Sequence, residues 1–238
     1  MKKEWGKFLK RWFWRFIFLI IYSVFLYQLW FLSHILYWNT HNPTTSAFMQ
    51  RQLIVLRKQN PATLLRYKWV PYEQISYDMK RAIIVAEDSK FMRHHGFDYD
   101  ALQAALSKIL IEGKITAGGS TISQQLAKNL FLSSKKSLCR KIQEATITLM
   151  LENMMSKRRI LEIYLNMIEW GNGVFGVQAA ARYYFGIPAS SLNAEQATYL
   201  AAMITNPRHY DKNRKSQKLL RKSKILLKRL HLHAAEIP

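Results

Sequence analysis

Phe16–Ser33 (FIFLIIYSVFLYQLWFLS) carries no formally charged residue, and its notable polar interruptions are Ser23, Gln28 and Ser33. At about 1.5 Å per residue, a helix of this run reaches most of the way across the roughly 30 Å hydrocarbon core of a bilayer, and its flanks extend it. Trp12 and Trp14 stand at one end and Tyr37 and Trp38 at the other, where amphipathic rings favour the two interfaces. Lys2, Lys3, Lys7, Lys10, Arg11 and Arg15 all precede the run. A positive flank stays on the cytoplasmic side, so the expectation is a basic tail over 1–11, a transmembrane anchor over 12–38 and everything beyond outside the cytoplasm. A cleaved signal peptide is the alternative, but the run is long for one and no small-x-small cleavage site follows it.

That orientation decides how the charge is read. The chain carries +21 from 36 Lys and Arg against 15 Asp and Glu, which predicts attraction to a polyanion: nucleic acid, anionic lipid or a phosphorylated substrate. An extracytoplasmic domain does not meet cytoplasmic nucleic acid, so lipid and phosphate remain. Cys139 is the single cysteine, which excludes an intrachain disulfide and a multi-cysteine metal site. His94 and His95 are adjacent, so their side chains diverge on regular backbone, and no metal site is expected there.

Beyond the anchor, residues 39–66 mix HNPTTS, a helical stretch over 48–58 and QNPATLLR, which reads as a linker, with the domain expected over 67–238. From there apolar residues recur at helical spacing over 79–86, 102–111, 142–151, 160–168, 177–184, 194–204 and 219–230. Strand-like alternation is scarce, so the fold class expected is mostly α. Glycines cluster at Gly118–Gly119 and at Gly171, Gly173 and Gly176, which marks two irregular loops.

Three stretches carry possible chemistry. In AIIVAEDSKFMRHHG an apolar run ends on Glu87 and Asp88, so a carboxylate there is partly desolvated unless it caps, pairs or reacts; acids facing water at a helix end are the plain alternative. In AGGSTISQQLAKN a glycine turn leads into a helix that Ser120 or Thr121 can cap, with amides suited to an anion. Gln124, Gln125, Lys128 and Asn129 then form a polar wall within two turns, or simply a solvated face. In RKIQEATITLMLE, Arg140, Glu144, Thr148 and Glu152 fall four apart on one face beside Lys135, Lys136 and Lys141. An ordinary i,i+4 ion pair explains Arg140 and Glu144, yet a carboxylate ringed by cations also suits a phosphate. SSKK and SLN match two penicillin-binding motifs, but no KTG follows.

Taken together these stretches resemble glycosyltransferase family 51, the peptidoglycan glycosyltransferases. EDSKFMRHHG is similar to its first motif (E-D-x-x-F-x-x-H-x-G), GGSTISQQLAKN to its second, RKIQEATITLMLE to its third and KRRILEIYLN to its fourth, in the family's order over roughly 67–211. The absence of a transpeptidase-like remainder points to the monofunctional branch. The resemblance implies a lysozyme-like helical domain on one membrane helix. It also implies polymerisation of lipid II, with the growing undecaprenyl-pyrophosphate-linked glycan as donor and inversion at its anomeric carbon. Glu87 then corresponds to the general base and Glu144 to the second glutamate, which orients the basic cluster.

The residues implied to bind substrate are Phe91, Ser120, Thr121, Gln124, Gln125, Lys128, Asn129, Lys136, Arg140 and Lys141, with Phe91 and His94 also supporting their loop. Tyr164 and Asn166 are expected to hold the fourth motif's helix. Lys136 stands where the family often has arginine, which keeps charge but loses the bidentate fork, and Thr148 replaces a common alanine. No obligatory cofactor is implied; a divalent cation, Mg or Mn, would be shared with the substrate pyrophosphate. The implied surroundings are a cytoplasmic (inner) membrane with anionic lipid and, as partners, cell-wall synthesis proteins. Two rival functions are a lytic transglycosylase, which cuts glycan with one glutamate, and a non-enzymatic basic scaffold. In SQKLLRKSKILLKRL, Leu219, Leu220, Leu226, Leu227 and Leu230 face one way and cations the other, as in a terminal helix packed on the domain or lying on lipid.

Overall fold

A computed structural model describes residues 2–112, 119–135, 137–232 and 236–238 of the chain, which divides into two compact units, 1–41 and 42–238. The first is one helix, α1 (Lys2–Thr40), which continues from the basic tail through the apolar run. Its stretch Lys10–Thr40 is long and apolar enough to cross a membrane, and Phe16, Phe18 and Ile21 are open to the surroundings. The hydroxyls that interrupt the run bond inside the helix: Ser23 Oγ donates to Leu19 O at 2.7 Å and Ser33 Oγ to Trp30 O at 2.8 Å. Each hydroxyl is therefore already paired, as an apolar medium would require.

The second unit begins well before residue 67. In place of a tether, α2 (Ala47–Gln59) is capped by Ser46 and buries Met49 and Gln52, whose Nε2 donates to Asn172 Oδ1 at 2.8 Å. Then β1 (Arg66–Tyr67) pairs parallel to β3 (Val174–Phe175), and β2 (Glu169–Gly171) pairs antiparallel to β3 across a bulge. Asn–Pro breaks on both sides of α2 give its sequence the look of a linker. Its real partners, Asn172 and the helix over Ile122–Phe131, lie far along the chain.

The remaining elements are helices. They are α3 (Tyr77–Glu87), α4 (Tyr99–Glu112), α5 (Ile122–Phe131), α6 (Leu138–Met154), α7 (Lys157–Met167), α8 (Val177–Phe185), α9 (Ala194–Met203), α10 (Pro207–Lys212) and α11 (Gln217–Leu232). Most start on a residue whose oxygen accepts from the first turn: Ser76, Thr121, Ser137, Ser156 and Asn193. One packed group is α3, α9 and α11; a second is α5, α6 and α7. Tyr164, Trp170, Phe91, Phe175 and Ile83 fill the space between elements and are fully buried. On α11, Leu219, Leu226 and Leu230 go into the core while Leu220 stays exposed, so the helix is packed on the domain along a narrower stripe than the leucines alone suggest.

Gly176, which caps α8 at φ 78 and ψ 145, sits in backbone that other residues strongly avoid. A Cβ there would also lie 2.7 Å from Asn166 O, a backbone atom of the neighbouring helix end. Gly176→Ala is therefore expected to destabilise by about 3 kcal/mol, read as a lowered urea midpoint; an unchanged midpoint would show that the turn can relax.

Candidate active site

Ala82, Ile83, Ile84 and Val85 bury the body of α3, and the helix ends on Glu87 where the chain turns into the next loop. Gln125 Nε2 donates to Glu87 Oε2 at 2.9 Å, and Tyr164 OH donates to Gln125 Oε1 at 2.8 Å. The amide of Gln125 is thus oriented by a fully buried phenol, and it in turn fixes one carboxylate oxygen. Burial pushes the Glu87 carboxyl above the ordinary range; the Gln125 bond and the cations Lys222 and Lys128 pull it back, while Asp88 adds to the rise.

Asp88 has a different task from its neighbour. Its Oδ2 accepts Ile122 N at 3.0 Å, and His94 Nε2 lies 2.9 Å from Oδ1. Gly96 N donates to His94 Nδ1, so the proton on that ring is on Nε2 and points at Asp88. The aspartate therefore ties the end of α3, the histidine loop and the first turn of α5 together, and it is buried. Thr121 and Gln124 complete the joint as a capping box: Thr121 N donates to Gln124 Oε1 at 3.0 Å and Gln124 N to Thr121 Oγ1 at 3.2 Å. Thr121 Oγ1 also donates to Gly96 O at 2.7 Å.

On the other side of Glu87, α5 and α6 gather cations. Glu144 is 3 % exposed; Arg140 Nη1 donates to its Oε2 at 2.6 Å, and Lys141 Nζ meets its Oε1. Lys128 joins them: burial lowers its ammonium, Glu144 raises it, and Arg140 and Lys141 push it down again. Arg140 Nε is buried with no partner among the described residues, which leaves an oriented donor for an anion. Glu152, four residues beyond Thr148 on the same sequence spacing, pairs instead with Lys157 and Ser123 and takes no part in the cluster.

The expected residues therefore separate. Glu87, Gln125, Lys128, Arg140, Lys141 and Glu144 converge; Ser120 is exposed and lines a cavity of about 210 Å³ beside Glu87, together with Asp88, Asp98, Thr121 and Arg229. Asn129 is half-buried on α5, one turn after Gln125. Phe91, expected as a substrate residue, is 0 % exposed, with Lys157 Nζ 4.5 Å from its ring centre; it packs beneath the loop and presents no surface to a ligand. The Thr121 hydroxyl and Gln124 Oε1 serve the helix cap, and Thr121 Oγ1 also donates to Gly96 O. Lys136 and Gly118 lie outside the described residues. Among the described residues no three His, Cys, Asp or Glu side chains come together as a metal cage.

A carboxylate raised by burial beside a cluster of cations can take a proton from a hydroxyl while a phosphate leaves. Residues 56–231 match the family model described as "Transglycosylase". The chain belongs to the transglycosylase family. Its relatives agree over nearly their whole lengths. It is 60 % identical to the biosynthetic peptidoglycan transglycosylase of Nitrosomonas eutropha over 95 % of this chain and 92 % of that one. With the proteins of the same name from Nitrosospira multiformis and Methylobacillus flagellatus the identities are 59 % and 57 %, each over 97 % of this chain and 100 % of the relative. The mostly helical fold is the lysozyme-like one of a transglycosylase, an enzyme of glycosyl transfer, and it comes with an N-terminal helix suited to a membrane.

Two groups beside Glu87 escaped the sequence reading. Lys222 and Arg229 both come from α11, where they stood within a run of cations with no acid to single them out. No spacing rule links residue 222 to residue 87.

Proposed function

We propose that the enzyme polymerises peptidoglycan glycan strands from lipid II, with Glu87 as general base and with inversion at the donor's anomeric carbon. The observation that carries this is the pairing of a buried, Gln125-oriented glutamate with the cations held by Glu144. Oε2 of Glu87 is bonded to Gln125, so Oε1 is the oxygen that accepts the proton of the acceptor's sugar 4-hydroxyl. As that proton leaves, the acceptor oxygen bonds to the anomeric carbon of the growing strand. The bond from that carbon to pyrophosphate breaks, and its electron pair departs with the undecaprenyl pyrophosphate. Lys128, Arg140 and Lys141 stabilise the charge that develops there, and Glu144 keeps two of them in place. Lys136 belongs to the same set by its motif position. A divalent cation, if used, would ride on the substrate's phosphates, with no acidic cage among the described residues to hold one.

The N-terminal helix supports anchoring in the inner membrane with the basic tail inside and the catalytic unit in the periplasm. A lytic enzyme of related fold has no use for a cation cluster, because a cut glycan carries no pyrophosphate. The test is incubation of the full chain in detergent with purified lipid II, and separately with preformed glycan. Polymer from the first supports the proposal; no polymer from the first and cleavage of the second would replace it with the lytic reaction.

A further inference from the structure

The two faces of α11 differ in kind. Leu219, Leu226 and Leu230 are buried against the domain, and Arg81 Nη2 on α3 donates to Leu230 O at 2.7 Å, so the helix is fixed with its opposite face turned outward. That outer face forms an open groove of about 460 Å³ lined by Gln217, Leu220, Arg221, Lys224, Ile225 and Lys228. At 3.6 residues per turn, Arg221, Lys224 and Lys228 make one ridge about 10 Å long, with Leu220 on one flank and Ile225 on the other. Both flanking side chains are open to the surroundings, Leu220 at 36 % and Ile225 at 45 % exposure.

An ordinary solvated face does not account for this pattern. Every formally charged residue between Asp211 and Glu236 is Lys or Arg, so no acid stands three or four places from these cations to offset them. Like charges at that spacing repel. Among the described residues no ion pair involves a side chain of α11. The ridge thus weakens its own helix slightly and is complementary to an anionic surface outside the chain.

We propose that the outer face of α11 docks the catalytic unit onto anionic phospholipid, its three cations meeting headgroup phosphates while Leu220 and Ile225 reach the boundary with the acyl chains. Charge selects an anionic partner, and α1 selects lipid. A unit joined to a helix that can cross a membrane meets a bilayer at high effective concentration, whereas a soluble anion has to arrive by diffusion. The face also adjoins the candidate site: Lys228 lines the outer groove, and Arg229, the next residue, lines the cavity beside Glu87. Docking of α11 would bring that cavity close to the surface from which a lipid-linked substrate enters. This consequence rests on the proposed reaction; the docking itself does not.

The test puts a reporter on the face without touching its cations. In full-length protein carrying Cys139→Ser and Gln217→Cys, the new thiol is labelled with an environment-sensitive fluorophore, and the protein is reconstituted into vesicles of phosphatidylcholine alone or mixed with phosphatidylglycerol. The emission is expected to shift to the blue, and to be quenched by lipid spin-labelled near the headgroup, only where phosphatidylglycerol is present. High salt is expected to reverse both changes. Each cation near an anionic surface changes the ratio of docked to undocked protein about fivefold, so Arg221→Gln, Lys224→Gln and Lys228→Gln together are expected to lower it about a hundredfold. Should the triple variant fail to fold, Lys224→Gln alone is expected to lower it about fivefold. Equal emission in the two vesicles, or a folded triple variant that behaves as its parent, overturns the inference. So does an equal blue shift produced in detergent by inorganic pyrophosphate, which would make the face a site for a soluble anion. The label reads docking without lipid II, so failure of the polymerase reading would leave a positive result standing.

Discussion

Glu87→Gln is expected to lower glycan polymerisation by at least about a hundredfold while leaving the protein folded, and at neutral pH somewhat more stable than its parent. The loss follows from the chemistry: an amide keeps the shape and can still accept from Gln125 Nε2, but it cannot take the proton of the attacking hydroxyl. The stability gain follows from linkage. The folded-state carboxyl is raised above its ordinary value, chiefly by burial, so ionising Glu87 opposes folding. That contribution is favourable below the unfolded value and is lost as pH rises through the folded one, where the parent protein pays a cost the glutamine variant does not. The difference in urea midpoint between the two should therefore shrink on acidification. Normal polymerisation by Glu87→Gln would rule out Glu87 as base; a loss of activity with a lowered midpoint at neutral pH would mean that the substitution had damaged the fold instead.

The stretches that converge on the candidate site were legible because their signals are local. An apolar run that stops on two acids, or an arginine four residues before a glutamate, describes one helix and needs no knowledge of the rest. The Arg140–Glu144 pair and the helix started by Ser120 or Thr121 are both present, and the structure chooses Thr121 because Gln124, three residues on, completes the box. What the sequence does not display are relations across distance. The two acids look alike in EDSKF, yet Glu87 faces Gln125 while Asp88 is consumed by Ile122 and His94; only the approach of α5 separates their roles. Of the two tasks expected of Phe91 the structure shows loop support, because a loop that holds a histidine to an aspartate needs something solid beneath it. Only the packing around it excludes contact with a ligand. The two-residue strands β1 and β3 are too short to show alternation, so α2 and β1 were invisible as parts of the domain.

Asn166→Ala is expected to cost about 3–5 kcal/mol of stability, the largest structural effect of any single polar substitution foreseen here. Asn166 is 0 % exposed, and each polar atom of its side chain is used. Oδ1 accepts Val70 N at 2.9 Å, and Nδ2 donates to Val70 O and to Glu162 O, each at 2.9 Å. An alanine leaves the buried N–H and C=O of Val70 without partners, and it is this unmade pairing, more than the lost side chain, that is expensive. The segment after β1 is held to α7 at the same place by Tyr72 N donating to Glu162 Oε1 at 2.9 Å, so the amide and the glutamate act as two adjacent staples. Tyr164, two residues before Asn166, needs α7 in place to orient Gln125 and through it Glu87. Asn166 itself reaches neither Glu87 nor the cations, so its loss should lower the urea midpoint sharply while the rate per folded molecule at low temperature changes less than about threefold. A midpoint equal to the parent's would show that water replaces the amide. A hundredfold fall in rate at an unchanged midpoint would instead place Asn166 in the reaction, which the geometry of α7 does not support.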